Sequence, residues 1–173
     1  MKKSVFISVP LLCFVLYLSM ALYSLSTSAI DDIIICGTND DTHYFPKGVC
    51  EYYLFNSRLT SEDILTLEAN SGLAFLFGIQ DKSQRYAYIK YFLSEGVSIN
   101  AISTVDGLSP LHAAIIRNDS KLVGFLLQNG ASLSQKESNY GLTPFDFLIF
   151  LSEKNSNVDR NDVFEVMSNA SEY

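Results

Sequence analysis

An all-α stack of helix-turn-helix repeats, set behind a disulfide-tied N-terminal cap, is the fold class this sequence predicts. Three observations predict it. The first is self-similarity: Tyr91-Phe92-Leu93-Ser94-Glu95-Gly96-Val97-Ser98-Ile99 returns 34 residues on as Phe125-Leu126-Leu127-Gln128-Asn129-Gly130-Ala131-Ser132-Leu133, and Gly107-Leu108-Ser109-Pro110 returns at the same offset as Gly141-Leu142-Thr143-Pro144. The second is the pair of helix openers. Ser109 and Thr143 are N-capping residue types, and the Pro that follows each has no amide hydrogen to leave unsatisfied in a first turn. The third is the glycine stop: Gly96 and Gly130 each close an apolar run at helical spacing, where a left-handed residue ends a helix.

Taken in order, residues 1–29 stand apart. Lys2 and Lys3 precede a run from Ser4 to Ile30 without a charge, whose core, Val5 to Leu25, is mostly Val, Leu, Ile, Phe and Tyr. The run exceeds the ~7–15 apolar residues of a cleaved signal and approaches the ~20 that cross a bilayer. Thr27-Ser28-Ala29 offers the small residues a signal peptidase reads, and Pro10 kinks a spanning helix without excluding one. A cleaved signal peptide and a transmembrane anchor therefore both stand, and both place the remainder in the periplasm or another extracytoplasmic space. Leu12 and Ile35 precede Cys13 and Cys36 where a lipoprotein signal wants a small residue.

Residues 30–70 read as the cap and a leading helix. Residues 31–59 are expected to be irregular, with turns at Asn39-Asp40-Asp41 and Pro46-Lys47-Gly48, and with Ile33-Ile34-Ile35 and Glu51-Tyr52-Tyr53-Leu54-Phe55 as short extended pieces or a helical turn. Cys36 and Cys50 are the only cysteines beyond the leader, and an even pair in an exported chain reads as a disulfide. Closing that loop stabilises by roughly 3 kcal/mol in chain entropy. The competing reading, a metal held by Cys36, His43, Cys50 and Asp40 or Asp41, fits no common zinc spacing, so no metal and no cofactor are expected. Thr60 is an N-cap with Glu62 and Asp63 in the first turn, and Ile64, Leu65 and Leu67 are expected to face inward until Asn70-Ser71-Gly72 breaks the helix.

Residues 71–168 hold about three helical pairs, and 169–173 a tail. The first pair is Leu73–Ile79 and Ser83–Glu95, with Tyr88, Ile89, Phe92 and Leu93 buried; Asn100–Asp106 is the connecting turn. The middle pair has thin Ala113 and Ala114 in its first helix and buries Leu122, Val123, Leu126 and Leu127 in its second. The third starts at Thr143-Pro144, and its second helix, roughly Val158 to Ser168, follows the polar Glu153–Asn157. Asn118-Asp119-Ser120 and Asn169-Ala170-Ser171 have the pattern of glycosylation sequons.

The stretch Asp106-Gly107-Leu108-Ser109-Pro110-Leu111-His112-Ala113-Ala114, followed by Leu126-Leu127-Gln128-Asn129-Gly130-Ala131, resembles the ankyrin repeat, whose signature is Gly-x-Thr-Pro-Leu-His-x-Ala and then Leu-Leu-x-x-Gly-Ala. Residues 104–134 carry the good match. The third unit departs from it with Phe145 and Asp146 in place of Leu and His, and the first lacks the Pro and His, as terminal repeats often do. The 34-residue offset exceeds the usual ~33, so each connecting finger is read as one residue longer. The resemblance implies that His112 makes a structural hydrogen bond along the stack. It also implies that fingertips and first helices form a concave protein-binding face: here Val105, Asp106, Leu108, Ile116 and Arg117 in the middle unit and Asn139, Tyr140 and Leu142 in the next. Apolar tips at Val105, Leu108, Tyr140 and Leu142 are costly in water unless covered by a partner, by residues 31–59, or by one another.

Charge and motifs narrow the function. Beyond Lys2 and Lys3 the chain holds ten basic and nineteen acidic residues, net −9, a surface that repels nucleic acid and anionic lipid and suits a basic partner or simply solubility. No Gly-x-Ser-x-Gly, His-Glu-x-x-His, phosphate loop or dinucleotide fingerprint occurs, so no enzyme and no catalytic residue is expected. Two functions follow: an exported or anchored module that holds one protein partner, in the manner of an immunity or inhibitor protein of a secreted toxin or effector enzyme, or a scaffolding component of an envelope or membrane complex. In either, the N-terminal segment meets the membrane if uncleaved.

Overall fold

The computed structural model describes residues 3–39 and 45–171, and among them there are ten helices and no strand. They fall into two compact units, Met1–Arg58 and Leu59–Tyr173.

The first unit begins with α1 (Lys3–Thr27), in which Val9–Thr27 is long and apolar enough to cross a membrane. After a break at Ser28 and Ala29 come α2 (Ile30–Thr38) and α3 (Lys47–Ser57). Ile30, Ile33 and Ile34 are buried at the i, i+3, i+4 spacing of one helical face, and Asp31 and Asp32 sit in the first turn of α2, where the helix dipole favours negative charge. Cys36 and Cys50 are joined, Cα to Cα 5.7 Å, so the disulfide fastens α2 to α3. Leu25, Phe45 and Tyr53 pack on it. The expected disulfide is present, but the expected irregular segment is two helices. Pro46 is the N-cap of α3 instead of the corner of a turn, and Gly48 lies inside the first helical turn. Asp40, Asp41, His43 and Tyr44 lie outside the described residues; the bond in any case occupies both sulfurs that the metal reading required.

In the second unit α4 (Ser61–Ala69) opens with a reciprocal capping box between Thr60 and Asp63. Asp63 and Leu67, four apart, share its buried side, which leaves Leu65 67 % exposed instead of inward. A 3-10 helix at Gly72–Gly78 leads to α5 (Lys82–Ser94), α6 (Pro110–Ile116), α7 (Ser120–Gln128), α8 (Pro144–Lys154) and α9 (Asn161–Ser171). Asp81, Asp119 and Thr143 cap α5, α7 and α8 with side-chain oxygens. Ser109, at the equivalent place before α6, does not cap with its side chain, because its hydroxyl is bonded to His112. Gly96 and Gly130 take φ of +100° and +93°, the left-handed stops their positions demanded. The last helix begins at Asn161 and not at Val158. The amide of Val158 is spent in a turn on the Asn155 carbonyl, and the Asp159 carboxylate accepts the N–H of Asn161 at 2.9 Å.

The core of this unit runs between the paired helices. Tyr88, Ile89 and Phe92 from α5, Ala114 and Ile115 from α6, Leu126 from α7, Leu148 from α8 and Met167 from α9 are all within 1 % of full burial. Each fully buried aliphatic side chain contributes roughly 1.5–3 kcal/mol relative to exposure. This core holds the connecting segments between α5 and α6 and between α7 and α8 in a row.

Candidate partner-binding site

Those two segments are fingers built on one hydrogen-bond plan. In the first, the Ser103 N–H donates to the Leu108 carbonyl at 2.9 Å. The buried Ser103 hydroxyl accepts from the amides of Val105 and Asp106 at 3.2 and 3.3 Å, and Asp106 Oδ1 accepts from the Leu108 amide at 3.1 Å. In the second, the Glu137 N–H donates to the Leu142 carbonyl at 3.1 Å. The Glu137 carboxylate accepts from the amides of Asn139, Tyr140 and Leu142 at 2.6, 2.8 and 3.0 Å. Burial pushes the Glu137 carboxyl up. The amides of Leu142, Asn139 and Tyr140, together with nearby His112, favour the charged form more strongly, and the net shift is downward.

The fingers are also tied to each other. Asn139 Nδ2 donates to the Asp106 carbonyl at 2.8 Å and the Ser138 amide to the Gly107 carbonyl at 2.8 Å. Asn100 bridges to the segment that follows α7 through the Ser132 amide, 2.8 Å, and the Gly130 carbonyl, 3.2 Å. Thr104 bonds back to Asn70 and Ala69 at the end of α4. His112 crosses the stack as expected: its Nε2 donates to the Leu142 carbonyl at 3.2 Å, while Nδ1 accepts from the Ser109 hydroxyl at 2.7 Å. That arrangement needs the neutral ring. Burial lowers the His112 pKa, outweighing the Leu142 carbonyl and the Glu137 charge, which act to raise it. With both nitrogens engaged and full burial, His112 is a structural link between α6 and the second finger.

Between the first finger, α6 and the preceding 3-10 helix lies a cleft of about 270 Å³. Four of the residues expected at the binding face, Asp106, Leu108, Ile116 and Arg117, line it with Phe75 and Ala113. Leu108, expected at a solvent-facing tip, is only 7 % exposed, because the turn at Gly107 directs it inward as a wall of the cleft. Val105 is 71 % exposed at the fingertip and Ile116 46 % exposed on α6. The other three residues do not reach this cleft: Asn139 braces the first finger, Leu142 is half-buried with its carbonyl on His112, and Tyr140 is 64 % exposed with its ring 5.2 Å from Phe150. Phe75 was missed because its unit lacks the Pro and His that would have aligned it. Glu137 was missed although it stands 34 residues after Ser103, the offset that identified the rest.

A second, open groove of about 640 Å³ lies against α5, α7 and α9, lined by Tyr86, Lys90, Lys121, Phe125 and Val166 among others, with the Tyr86 and Phe125 rings 5.0 Å apart. Nearby, Arg85 and the α7 cap Asp119 form an ion pair at 3.4 Å. Asn118, the acceptor of the first sequon, holds a left-handed φ of +54° and donates its amide to the Asp159 carbonyl at 2.7 Å, so the nitrogen a glycan would need is already engaged.

Residues 106–138 match the family model of the ankyrin repeat. No curated protein matches the chain. The chain thus contains an ankyrin repeat, built on α6 and α7, and a repeat of this kind is a protein-binding module, typically without catalysis.

Proposed function

We propose that this chain is an extracytoplasmic module that binds one protein partner through the cleft between the first finger and α6. In this reading the helix pairs flanking residues 106–138 are degenerate repeats of the same kind, over about 71–168. The left-handed glycines at equal offsets, Gly96 with Gly130 and Gly107 with Gly141, support it. The observation that carries the binding site is the cleft itself: an apolar floor of Phe75, Leu108 and Ala113 beside exposed Val105 and Ile116, with Asp106 and Arg117 supplying one charge of each sign at its edge. Apolar anchors ringed by charge are what a specific interface uses. Work outside the cytoplasm is supported by the apolar α1 and the Cys36–Cys50 bond. The finer role, holding a secreted toxin or effector enzyme in an inactive complex, is supported by layout alone: an export-type leader and a short stack.

The test is cross-linked capture from the native envelope followed by identification and binding measurements on variants. Val105→Asp and Ile116→Asp, both at exposed positions, should each weaken binding of the captured partner by more than ~30-fold, the effect of losing a central anchor, with helix content unchanged. If both variants bind as tightly as the parent, the cleft is not the interface and the Tyr86–Phe125 groove becomes the candidate. Recovery of the chain only within a large membrane assembly would favour the scaffolding role over a one-to-one complex.

A further inference from the structure

We infer that residues 1–29 are retained in the mature protein and that α1 is a membrane anchor whose last turn is part of the folded cap, its exposed side chains facing lipid. Three observations converge. The first is where the helix ends: Leu25, upstream of any cut after Ala29, is 5 % exposed and packs on the Cys36–Cys50 disulfide with Phe45 and Tyr53. A discarded leader has no reason to supply a core side chain to the domain it leaves. The second is Arg58, at the far end of the unit. Its Nη1 donates to the carbonyls of Ser28 at 2.9 Å and Leu25 at 3.4 Å, satisfying carbonyls that the end of α1 leaves without helical partners and placing a positive charge at the negative end of the helix dipole. Cleavage after Ala29 would remove both acceptors.

The third observation is the outer surface of the helix. Val9, Leu11, Leu12, Phe14, Met20 and Tyr23 are 57–73 % exposed, an apolar surface far beyond what single exposed residues explain. The Val9–Thr27 stretch is 19 residues, which rises about 28 Å against a hydrocarbon core of about 30 Å. The one occupant that matches such a length and all-round apolarity is a bilayer. Lys2 and Lys3 lie on its N-terminal side and Asp31 and Asp32 just beyond its C-terminal side, so the positive flank stays in the cytoplasm and the disulfide-bonded cap lies across the membrane from it. The Thr27-Ser28-Ala29 triplet is helical through Thr27, and the hydroxyls of Thr27 and Ser28 are folded back onto carbonyls of the preceding turn.

The experiment compares the full chain, expressed with its own N-terminus, with Ala29→Arg, which no signal peptidase would accept at that position and which falls on an exposed residue. The expected result is the same N-terminus for both, upstream of α1, with the masses differing only by the substitution and the protein in membranes, resistant to alkaline carbonate and released by detergent. A parent chain that is soluble and begins at or near Ile30, while Ala29→Arg keeps the longer mass, would overturn the inference. A parent of full mass that carbonate strips from membranes would overturn it equally. Neither outcome bears on partner binding through the cleft, which Val105→Asp and Ile116→Asp test separately.

Discussion

The two fingers of the stack do the same work with different chemistry. Their hydrogen-bond plan recurs at an offset of 34, and in each, three amides need acceptors as the chain turns toward the following helix. The first finger meets the demand with two side chains, the Ser103 hydroxyl for two amides and the Asp106 carboxylate for the third. The second meets all three with one buried carboxylate, Glu137. What the repeat preserves is the set of accepting positions, not the residue that provides them. The consequence is energetic. Dividing the acceptors leaves Asp106 exposed, in the lining of the cleft. Concentrating them in Glu137 buries a charge that its three donors do most to make tolerable.

The largest break in the comparison should therefore come at Glu137. Glu137→Ala removes the acceptor of all three amides of the second finger, and bonds to a charged group are worth ~1.5–3 kcal/mol each without being additive; a loss of about 3 kcal/mol or more is expected. Ser103→Ala removes two bonds to a neutral oxygen and leaves the Asp106–Leu108 bond in place, so about 1–2 kcal/mol is expected. Thermal unfolding followed by helical circular dichroism reads both. Equal losses would show that the carboxylate is no more than a hydroxyl in this role.

A smaller effect separates the glycines at the ends of the two fingers. Gly107 and Gly141 share a left-handed conformation, φ +72° and +69°, so an added methyl strains the backbone at both by roughly 1–2 kcal/mol. Only at Gly107 does a Cβ also meet the neighbouring finger, at 3.1 Å from both Asn139 Nδ2 and Ser138 Cβ, whereas at Gly141 nothing lies within 4 Å. Gly107→Ala should therefore destabilise more than Gly141→Ala and should loosen the contact between fingers, seen as faster hydrogen exchange of the Ser138 amide. Matching values for the two variants would mean that the second finger yields without cost. Gly48→Val is a useful control, since Gly48 sits in the first turn of α3 with open space around it and little change is expected.

How much of this was legible in the sequence follows from how local each signal is. The ankyrin repeat was legible because Ser109-Pro110, Gly107 and Gly130 act through their own backbone conformations, and those requirements do not depend on distant residues. The disulfide was legible as a lone pair of cysteines behind an apolar leader. The helices α2 and α3 were not: at 9 and 11 residues they are too short to hold by propensity alone, and the bond between them with packing around it fixes them. Glu137 was not legible as an organiser either. A glutamate between Lys136 and Ser138 reads as surface charge until the fold turns three amides toward it. Leu108 was placed at a tip by its position after Gly107; the left-handed turn at that glycine sends it inward.

The smallest expected effect is in acid, and it tests whether the link between α6 and the second finger is as neutral as the geometry requires. The His112 pKa is lowered in the fold from 6.5, so the unfolded chain binds the proton first. The stability due to the neutral ring is complete above about pH 6.5 and is lost as pH falls through the lower folded value. The Glu137 pKa is likewise lowered from 4.5, so its contribution is complete above that value and is lost at lower pH. The acid response of the second unit should thus have two parts, an upper one from His112 and a lower one from Glu137. The upper one should be modest, because the Ser109 hydroxyl can turn from donating to accepting when Nδ1 gains a proton, and the Glu137 charge nearby favours the imidazolium. Subtracting the stability of His112→Gln from that of the parent at each pH cancels the titrating groups that do not interact with His112. The difference should be flat above pH 6.5 and shrink below it. Glu137→Gln should deepen the upper part, since without the carboxylate the folded His112 pKa drops further, and should remove the lower one. A parent-minus-variant difference that stays constant from pH 7 to pH 5 would mean that His112 can carry charge in place, and the link between α6 and the second finger would then be insensitive to the state of its ring.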